Sequence, residues 1–322
     1  MKAVYIEEFG GPEVLKIDDV PVPQVKPEQV LIKVVAAGVN PVDWKIREGY
    51  LSAAFKHNFP VILGWDMAGT IETVGTAVKG LVPGDKVYCY SRMDAIQYGT
   101  YAEYGLANAN AVARIPGNMD FYTAATIPLT SLTARQGLVD VAQLSVGEKL
   151  FVANGSGGVG GFAIQIAKSI GAEVCATASS KNHAYLNAIG VDAAIDYHTD
   201  NIPEKIRQFA SDGVDVVLDC TGAEEIEGLF KYVKKQTGRV VTINGLEQSI
   251  PVLESCAKKY DVKAWMFHVE GNGKALAQIT ELIEQDKIRP LPVEKYSLDD
   301  AAIALQKSQA GHVCGKLVLS VQ

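Results

Sequence analysis

At residues 149–171 the chain reads KLFVANGSGGVGGFAIQIAKSIG, a short apolar run followed by a glycine-rich loop and a segment with helical apolar spacing. The loop satisfies G-x-G-x-x-G. In this motif the first glycine permits a tight turn, the second lets the backbone approach a pyrophosphate, and the third lets helix and strand pack closely. The helix start adds free N–H groups and a positive dipole end. We therefore expect the phosphates of a dinucleotide to bind at Gly155, Gly157, Gly158, Val159 and Gly160.

The same strand-and-helix alternation continues up to residue 269. Further β-branched runs lie at residues 172–178, 193–196, 214–220, 238–243 and 262–269, with amphipathic segments between them. Parallel strands need crossover connections, so this pattern predicts an α/β fold with a doubly wound parallel sheet. The first third instead has the glycine and proline punctuation of antiparallel strands, for example at residues 30–39 and 83–90. Near residue 121 the sequence becomes rich in helix-forming residues. We therefore expect a separate β-rich domain before it.

The loop after the second parallel strand discriminates between the two nicotinamide dinucleotides. An NAD site places an acidic residue there, against the ribose 2′-hydroxyl. Here the chain reads Ser179, Ser180, Lys181, Asn182, and Glu173 stands at the wrong end of the strand. Hydroxyls and an ammonium suit a 2′-phosphate, which a carboxylate would repel. We expect NADP(H); the alternative is a solvated loop that accepts either cofactor.

Composition and charge narrow the range of partners. The 322 residues are 48% hydrophobic and 21% charged, as in globular proteins. A formal net charge of −7 disfavours nucleic acid and anionic membranes, because both need a concentrated positive field. No segment approaches the roughly 20 apolar residues of a membrane span, and no signal sequence is evident. Five widely separated cysteines complete the expectation of a reduced, cytoplasmic protein.

Several motifs, in order and spacing, resemble one known family. They include GVNPVDWKIREG (38–49), LGWDMAGTIETVG (63–75), GTYAEY (99–104), NGSGGVG (154–160) and GKLVL (315–319). From end to end the chain resembles the medium-chain dehydrogenase/reductases, and within them the zinc-free quinone oxidoreductases, which are ζ-crystallin-like, and the alkenal/enone reductases. The resemblance implies a GroES-like catalytic domain formed by residues 1–122 and 270–322. A Rossmann NADP(H)-binding domain, residues 123–269, is inserted between these parts.

The zinc-dependent members of that family differ from this chain at their metal ligands. Asn40 stands in place of their first cysteine ligand, and Gly64, Trp65 and Asp66 replace a Gly-His-Glu motif. Their four-cysteine lobe is missing, and none of the five histidines has ligand spacing to another. We therefore expect no metal.

The resemblance implies reduction of a small-molecule quinone or enone by NADPH. In a site without metal, the protein's contribution is positioning and hydrogen-bond donors to the oxygen that gains charge. The candidate donors are Asn40, Lys45 and Tyr50; in relatives the asparagine faces the nicotinamide ribose or ring. Lysine at position 45 is typical of the enone reductases, whereas other quinone reductases carry tyrosine. The alternative for Lys45 is a surface lysine packed on Trp44, and for Asp43 we expect a loop-bracing role. Relatives further suggest cofactor contacts at Thr133, Tyr197, Asn244, Phe267 and Lys316.

The sequence leaves two alternative functions open and also predicts an oligomeric state. An enoyl-thioester reductase would need basic residues for a phosphorylated carrier, and we locate no such patch. A non-catalytic protein, like the ζ-crystallin relatives that serve in the lens or bind RNA, is disfavoured by the acidic balance and the intact glycine loop. The apolar run at 262–269 reads as the last strand of the parallel sheet. An exposed edge is a liability unless it is paired, so we expect a homodimer or homotetramer.

Overall fold

The structure is a computed structural model that describes residues 1–222, 226–243 and 249–322. The chain separates into two compact units. The first comprises Met1–Leu132, Glu270–Asp286 and Pro292–Gln322, and the second comprises Thr133–Val269 and Lys287–Leu291.

Strands and helices are numbered along the chain. The strands are β1 Lys2–Ile6, β2 Lys16–Asp19, β3 Gln29–Val39, β4 Lys56–His57, β5 Val61–Ile62, β6 Asp66–Val74, β7 Lys86–Tyr90, β8 Ala95–Ile96, β9 Tyr104–Asn108, β10 Val112–Arg114, β11 Lys149–Ala153, β12 Glu173–Ala178, β13 Ala193–Asp196, β14 Val216–Asp219, β15 Arg239–Thr242, β16 Lys263–Met266, β17 Val293–Ser297 and β18 Lys316–Ser320. The helices are α1 Pro41–Arg47, α2 Phe121–Ala124, α3 Pro128–Arg135, α4 Gly158–Ile170, α5 His183–Ala188, α6 Ile202–Phe209, α7 Ile226–Leu229, α8 Ile250–Tyr260, α9 Gly273–Glu284 and α10 Ala301–Ala310.

The first unit is built on a mostly antiparallel sheet. Its strands follow the order β10-β7-β6-β3-β18-β17, and β9 also pairs with β3. Strand β3 is buried along almost its whole length, which explains its apolar run. Strand β18, from the end of the chain, runs antiparallel to β3 and sets Leu317 opposite Val39. The last strand of the chain is thereby brought beside the segment that begins at Asn40.

The second unit contains a six-stranded parallel sheet in the order β13-β12-β11-β14-β15-β16. Counted from β11, this is the strand order of a Rossmann sheet, and the order reverses between β11 and β14. The predicted doubly wound fold is confirmed, and the run at 262–269 forms the edge strand β16 as expected. In open α/β sheets ligands bind outside the carboxyl ends of the strands where the order reverses. The glycine-rich loop lies at this point.

Helix α4 shows how the local sequence produces the βα unit. Its core-facing side chains include Phe162, Ile164 and Ile166, all buried. The helix ends at Gly171, whose φ of 94° is left-handed and therefore favours glycine. Across residues 1–222, 226–243 and 249–322, no helix has both the length and the apolarity needed to cross a membrane.

Candidate active site

The turn after β11 is held by the neighbouring strand. Asn154 adopts a left-handed φ of 68°, a conformation that asparagine tolerates better than most residues. Its N–H donates to Thr177 Oγ1 at 3.0 Å, and the N–H of Gly155 donates to the Thr177 carbonyl at 2.8 Å. The left-handed residue of this turn is therefore Asn154, whereas the motif assigns the tight turn to Gly155.

The remaining glycines bring the helix close to the strand. A Cβ on Gly160 would lie 2.2 Å from the carbonyl oxygen of Asn154, so no side chain fits there. This is the close packing that the motif predicts. Helix α4 begins after Gly157, which offers no side-chain cap. The first N–H groups of a helix lack intrahelical partners, so those of Gly158, Val159 and Gly160 suit a pyrophosphate.

The loop after β12 presents the predicted polar side chains. Ser179 is half-buried, while Ser180 and Lys181 are exposed. Lys181 makes no ion pair with any residue that the structure describes. Asn182 Nδ2 donates to Ser156 Oγ at 3.1 Å, which links this loop to the glycine loop.

An acidic neighbour of this loop, Asp196 at the end of β13, was missed by the sequence reasoning. Its carboxylate accepts the N–H of Ser180 at 3.2 Å and that of His198 at 2.9 Å. The His198 bond, followed by those of Ser180, holds the pKa of Asp196 below its usual value. These backbone donors stabilise the ionised form of Asp196, so a carboxylate stands beside this loop. Its place at the end of the strand that pairs with β12 was the signal that could have revealed it.

The other cofactor candidates of the second unit occupy separate positions. Tyr197 is 42% exposed, and its ring lies against that of His198 at a centroid distance of 4.1 Å, with the two ring planes tilted by 40°. Phe267 follows β16 and lies against Gly137, since a Cβ there would be 3.1 Å from its ring. Thr133 is buried in α3. Asn244 lies outside the residues that the structure describes.

In the first unit, the candidate Asn40 is completely buried in a polar network. Its N–H donates to Asp43 Oδ2 at 2.8 Å and its Nδ2 to Asp66 Oδ2 at 2.9 Å. Its Oδ1 accepts a hydrogen bond from the ammonium of Lys316, which also donates to the Val39 carbonyl at 2.8 Å. The structure thus places Lys316, another candidate, on Asn40.

Two buried carboxyl groups complete this network. Asp43 Oδ2 also accepts the Tyr101 hydroxyl at 2.7 Å, so the predicted bracing role of Asp43 is confirmed. Burial raises the pKa of Asp43 to about 7 and that of Asp66 to about 6, against the opposing effect of Lys316. Burial likewise lowers the pKa of Lys316.

The side chains of Lys45 and Tyr50 both lie near the Trp44 ring. The Lys45 ammonium is 5.8 Å from the Trp44 ring centroid, and the Tyr50 ring meets the same indole edge-on at 5.9 Å. Lys45 is half-buried and burial lowers its pKa, whereas Tyr50 is 55% exposed. Lys45 therefore has the Trp44 contact expected of a surface lysine, but it is also partly buried.

No metal-binding cluster was found in the described parts of the chain: nowhere do three or more His, Cys, Asp or Glu side chains come together in a group able to hold an ion.

Comparison with known proteins places both units in one family. Residues 26–117 match the family described as alcohol dehydrogenase GroES-like domain, and residues 189–319 match the family described as zinc-binding dehydrogenase. An NADPH-dependent alkenal/one oxidoreductase, chloroplastic, from Arabidopsis thaliana is 36% identical over 330 residues, covering 99% of this chain and 79% of the relative. A quinone oxidoreductase from Rattus norvegicus is 34% identical over 312 residues, covering 94% of this chain and 92% of the relative.

A solved structure agrees with these relatives. The quinone oxidoreductase from Coxiella burnetii matches with a TM-score of 0.89 and 32% identity, over 100% of this chain and 99% of that one. The resemblance inferred from the motifs and the GroES-like plus Rossmann fold class are both confirmed. The chain belongs to the medium-chain dehydrogenase/reductases, in the branch of the quinone oxidoreductases and alkenal/one oxidoreductases.

Proposed function

We propose that this protein is an NADPH-dependent reductase of quinones or of the activated C=C bond of α,β-unsaturated carbonyl compounds. The glycine loop carries the proposal. Gly157 leaves the start of α4 without a side-chain cap, and Ser180 and Lys181 stand exposed after the neighbouring strand. Uncapped N–H groups and a nearby ammonium together fit a dinucleotide that bears an additional phosphate.

Each part of the cofactor has proposed protein partners. The N–H groups of residues 158–160 hold the pyrophosphate, and Ser179, Ser180 and Lys181 hold the 2′-phosphate, with Asn182 fixing their loop. Tyr197 stacks near the adenosine, while Thr133, Asn244 and Phe267 are further proposed contacts. When bound, NADPH supplies the hydride that reduces the substrate.

Lys45 is the proposed donor to the substrate oxygen. Negative charge develops on that oxygen during reduction, and a positioned donor stabilises it more in the transition state than in the ground state. Partial burial strengthens such a bond, because less water competes for the ammonium. Tyr50 is proposed as a weaker second donor, since its exposed hydroxyl is readily replaced by water.

A panel of quinones, enones and enoyl thioesters, assayed by oxidation of NADPH and of NADH, tests the function. We expect turnover with enones or quinones, preference for NADPH, and no loss of rate after exhaustive chelation. Stoichiometric zinc by elemental analysis would contradict the metal-free reaction. Turnover restricted to thioesters, or no turnover with salt-dependent retention of RNA, would favour one of the two alternatives instead.

Assembly and location are further proposals. The edge strand β16 supports a homodimer or homotetramer, because its outer backbone groups can pair with a second copy. A cytoplasmic location stays a prediction from the sequence.

A further inference from the structure

Opposite charges hold the two ends of the Asn40 side-chain amide. The Lys316 ammonium donates to Oδ1, and the Asp66 carboxylate accepts from Nδ2 at 2.9 Å. Asp66 is itself fixed by the N–H of Leu129, which donates to its Oδ1 at 2.8 Å. All of these groups belong to the first unit. The amide cannot rotate without breaking two charge-assisted hydrogen bonds, which are roughly twice as strong as neutral ones.

Burying the Lys316 ammonium costs free energy. Its side chain is 4% exposed, and the two acceptors of its ammonium are neutral oxygens, those of Val39 and Asn40. Taking an ammonium out of water carries a large desolvation penalty, which hydrogen bonds to neutral oxygens offset less than an ion pair would, so stability alone does not account for such a group. The ammonium instead orients the side-chain amide of Asn40.

The Lys316 ammonium orients the start of helix α1. Asn40 is the N-cap of α1, and its N–H is bound by Asp43 one turn later. Lys45 lies in the same seven-residue helix, Pro41–Arg47. Fixing Asn40 therefore fixes the beginning of the helix that carries Lys45.

We propose that Lys316 is a positioning residue, which through Asn40 holds the start of α1 and thereby places Lys45. The inference rests on the proposed reductase function. It differs from the contact implied by the family resemblance, in which the residue at this position touches the cofactor directly.

The test compares Lys316→Met with Lys33→Met, which removes an exposed lysine from β3 of the same sheet. NADPH Kd is measured by fluorescence titration, and kcat with an enone that the wild type reduces. For Lys316→Met we expect kcat to fall about tenfold or more while NADPH Kd stays within about twofold. Lys33→Met should change neither quantity.

A double-mutant cycle identifies the route of the effect. If Lys316 acts through Asn40, adding Lys316→Met to Asn40→Ala should cause no further loss of kcat, because interacting residues are not additive. Additive losses, or a rise in NADPH Kd larger than the fall in kcat, would indicate direct contact with the cofactor and overturn the proposal. An unchanged kcat would reduce Lys316 to a structural role and overturn it as well.

A second variant covers the case in which Lys316→Met does not fold. Asp66→Asn keeps the side-chain volume. Its amide nitrogen, however, is a donor and would face either Asn40 Nδ2 or the Leu129 N–H, both of which are donors. This variant should therefore also lower kcat, with little change in NADPH Kd. Normal kcat in folded Asp66→Asn contradicts the proposal. If the wild type neither binds NADPH nor reduces any enone or quinone, the proposed function fails first; if it does both and the cycle is additive, only the positioning role fails.

Discussion

Asn182 Nδ2 and Ser156 Oγ lie 3.1 Å apart in a hydrogen bond that joins the loop after β12 to the glycine loop after β11. These two loops are proposed to bind different phosphates of one NADPH molecule, so the bond sets the distance between the two sites. Asn182→Ala should raise KM for NADPH roughly fivefold, as expected for one neutral hydrogen bond. Asn187→Ala, an exposed asparagine of α5, is the matched control. Equal KM values for the two variants would show that the link is dispensable.

Lys181 is expected to set the preference between the two dinucleotides. Lys181→Ala removes a charge partner of the 2′-phosphate, so KM for NADPH should rise about tenfold while KM for NADH barely changes. Steady-state kinetics with both cofactors measures this, with Lys258→Ala as the exposed control in the same unit. Equal use of NADH and NADPH by the wild type would show that the loop does not select NADPH.

Lys45→Ala should lower kcat and kcat/KM together, because a donor to developing charge acts mainly in the transition state. Loss of one such donor typically costs about 10²-fold or more. Tyr50→Phe should cost less, and Lys56→Ala, an exposed lysine nearby in sequence, should cost nothing. An unchanged kcat for Lys45→Ala with both enones and quinones removes Lys45 from the reaction.

Local patterns predicted the second unit well. The run at 193–196 is β13 to the residue, and the glycine loop joins β11 to α4 as the motif predicts. These features depend on neighbouring residues, since turn chemistry and apolar spacing act over short distances. The left-handed Asn154 was missed because asparagine and glycine both tolerate that conformation.

The buried network of the first unit could not be predicted in the same way. Asn40 and Lys316 are 276 positions apart, and nothing near Lys316 in the sequence indicates an acceptor for a buried ammonium. Strand pairing decides the contact: β18 lies antiparallel to β3, which brings the end of the chain to Val39. Such long-range register leaves no periodic signal in a single sequence.

The two buried carboxyl groups predict how stability varies with pH. Their pKa values, about 7 for Asp43 and about 6 for Asp66, lie above the ordinary 3.8. Between about pH 4 and pH 7 the folded protein therefore holds more protons than the unfolded chain, so these groups make the free energy of unfolding fall as pH rises.

Asp43→Asn should flatten that decline. An amide oxygen can accept both bonds that Oδ2 accepts now, and its nitrogen takes the place of Oδ1, which has no hydrogen-bond partner among the residues that the structure describes. Tm measured from about pH 5 to pH 8 should fall less for Asp43→Asn than for the wild type. Asp212→Asn, an exposed control, should follow the wild type. Parallel Tm curves for Asp43→Asn and the wild type would show that Asp43 does not titrate in this window.

The edge strand β16 offers a test of assembly. The N–H groups of Lys263 and Phe267 donate toward β15, to the carbonyls of Gly238 at 3.2 Å and Thr242 at 3.4 Å. Since N–H directions alternate along a strand, that of Met266 points to the open edge. Met266→Pro removes this outer donor and leaves the ladder to β15 in place, as prolines on edge strands do.

The control variant is Met266→Ala, which also removes the long Met266 side chain but keeps the N–H. By light scattering at micromolar concentration we expect a dimer or tetramer for the wild type and Met266→Ala, and a smaller species for Met266→Pro. A monomeric wild type excludes the assembly, and an unchanged mass for Met266→Pro excludes pairing through this edge.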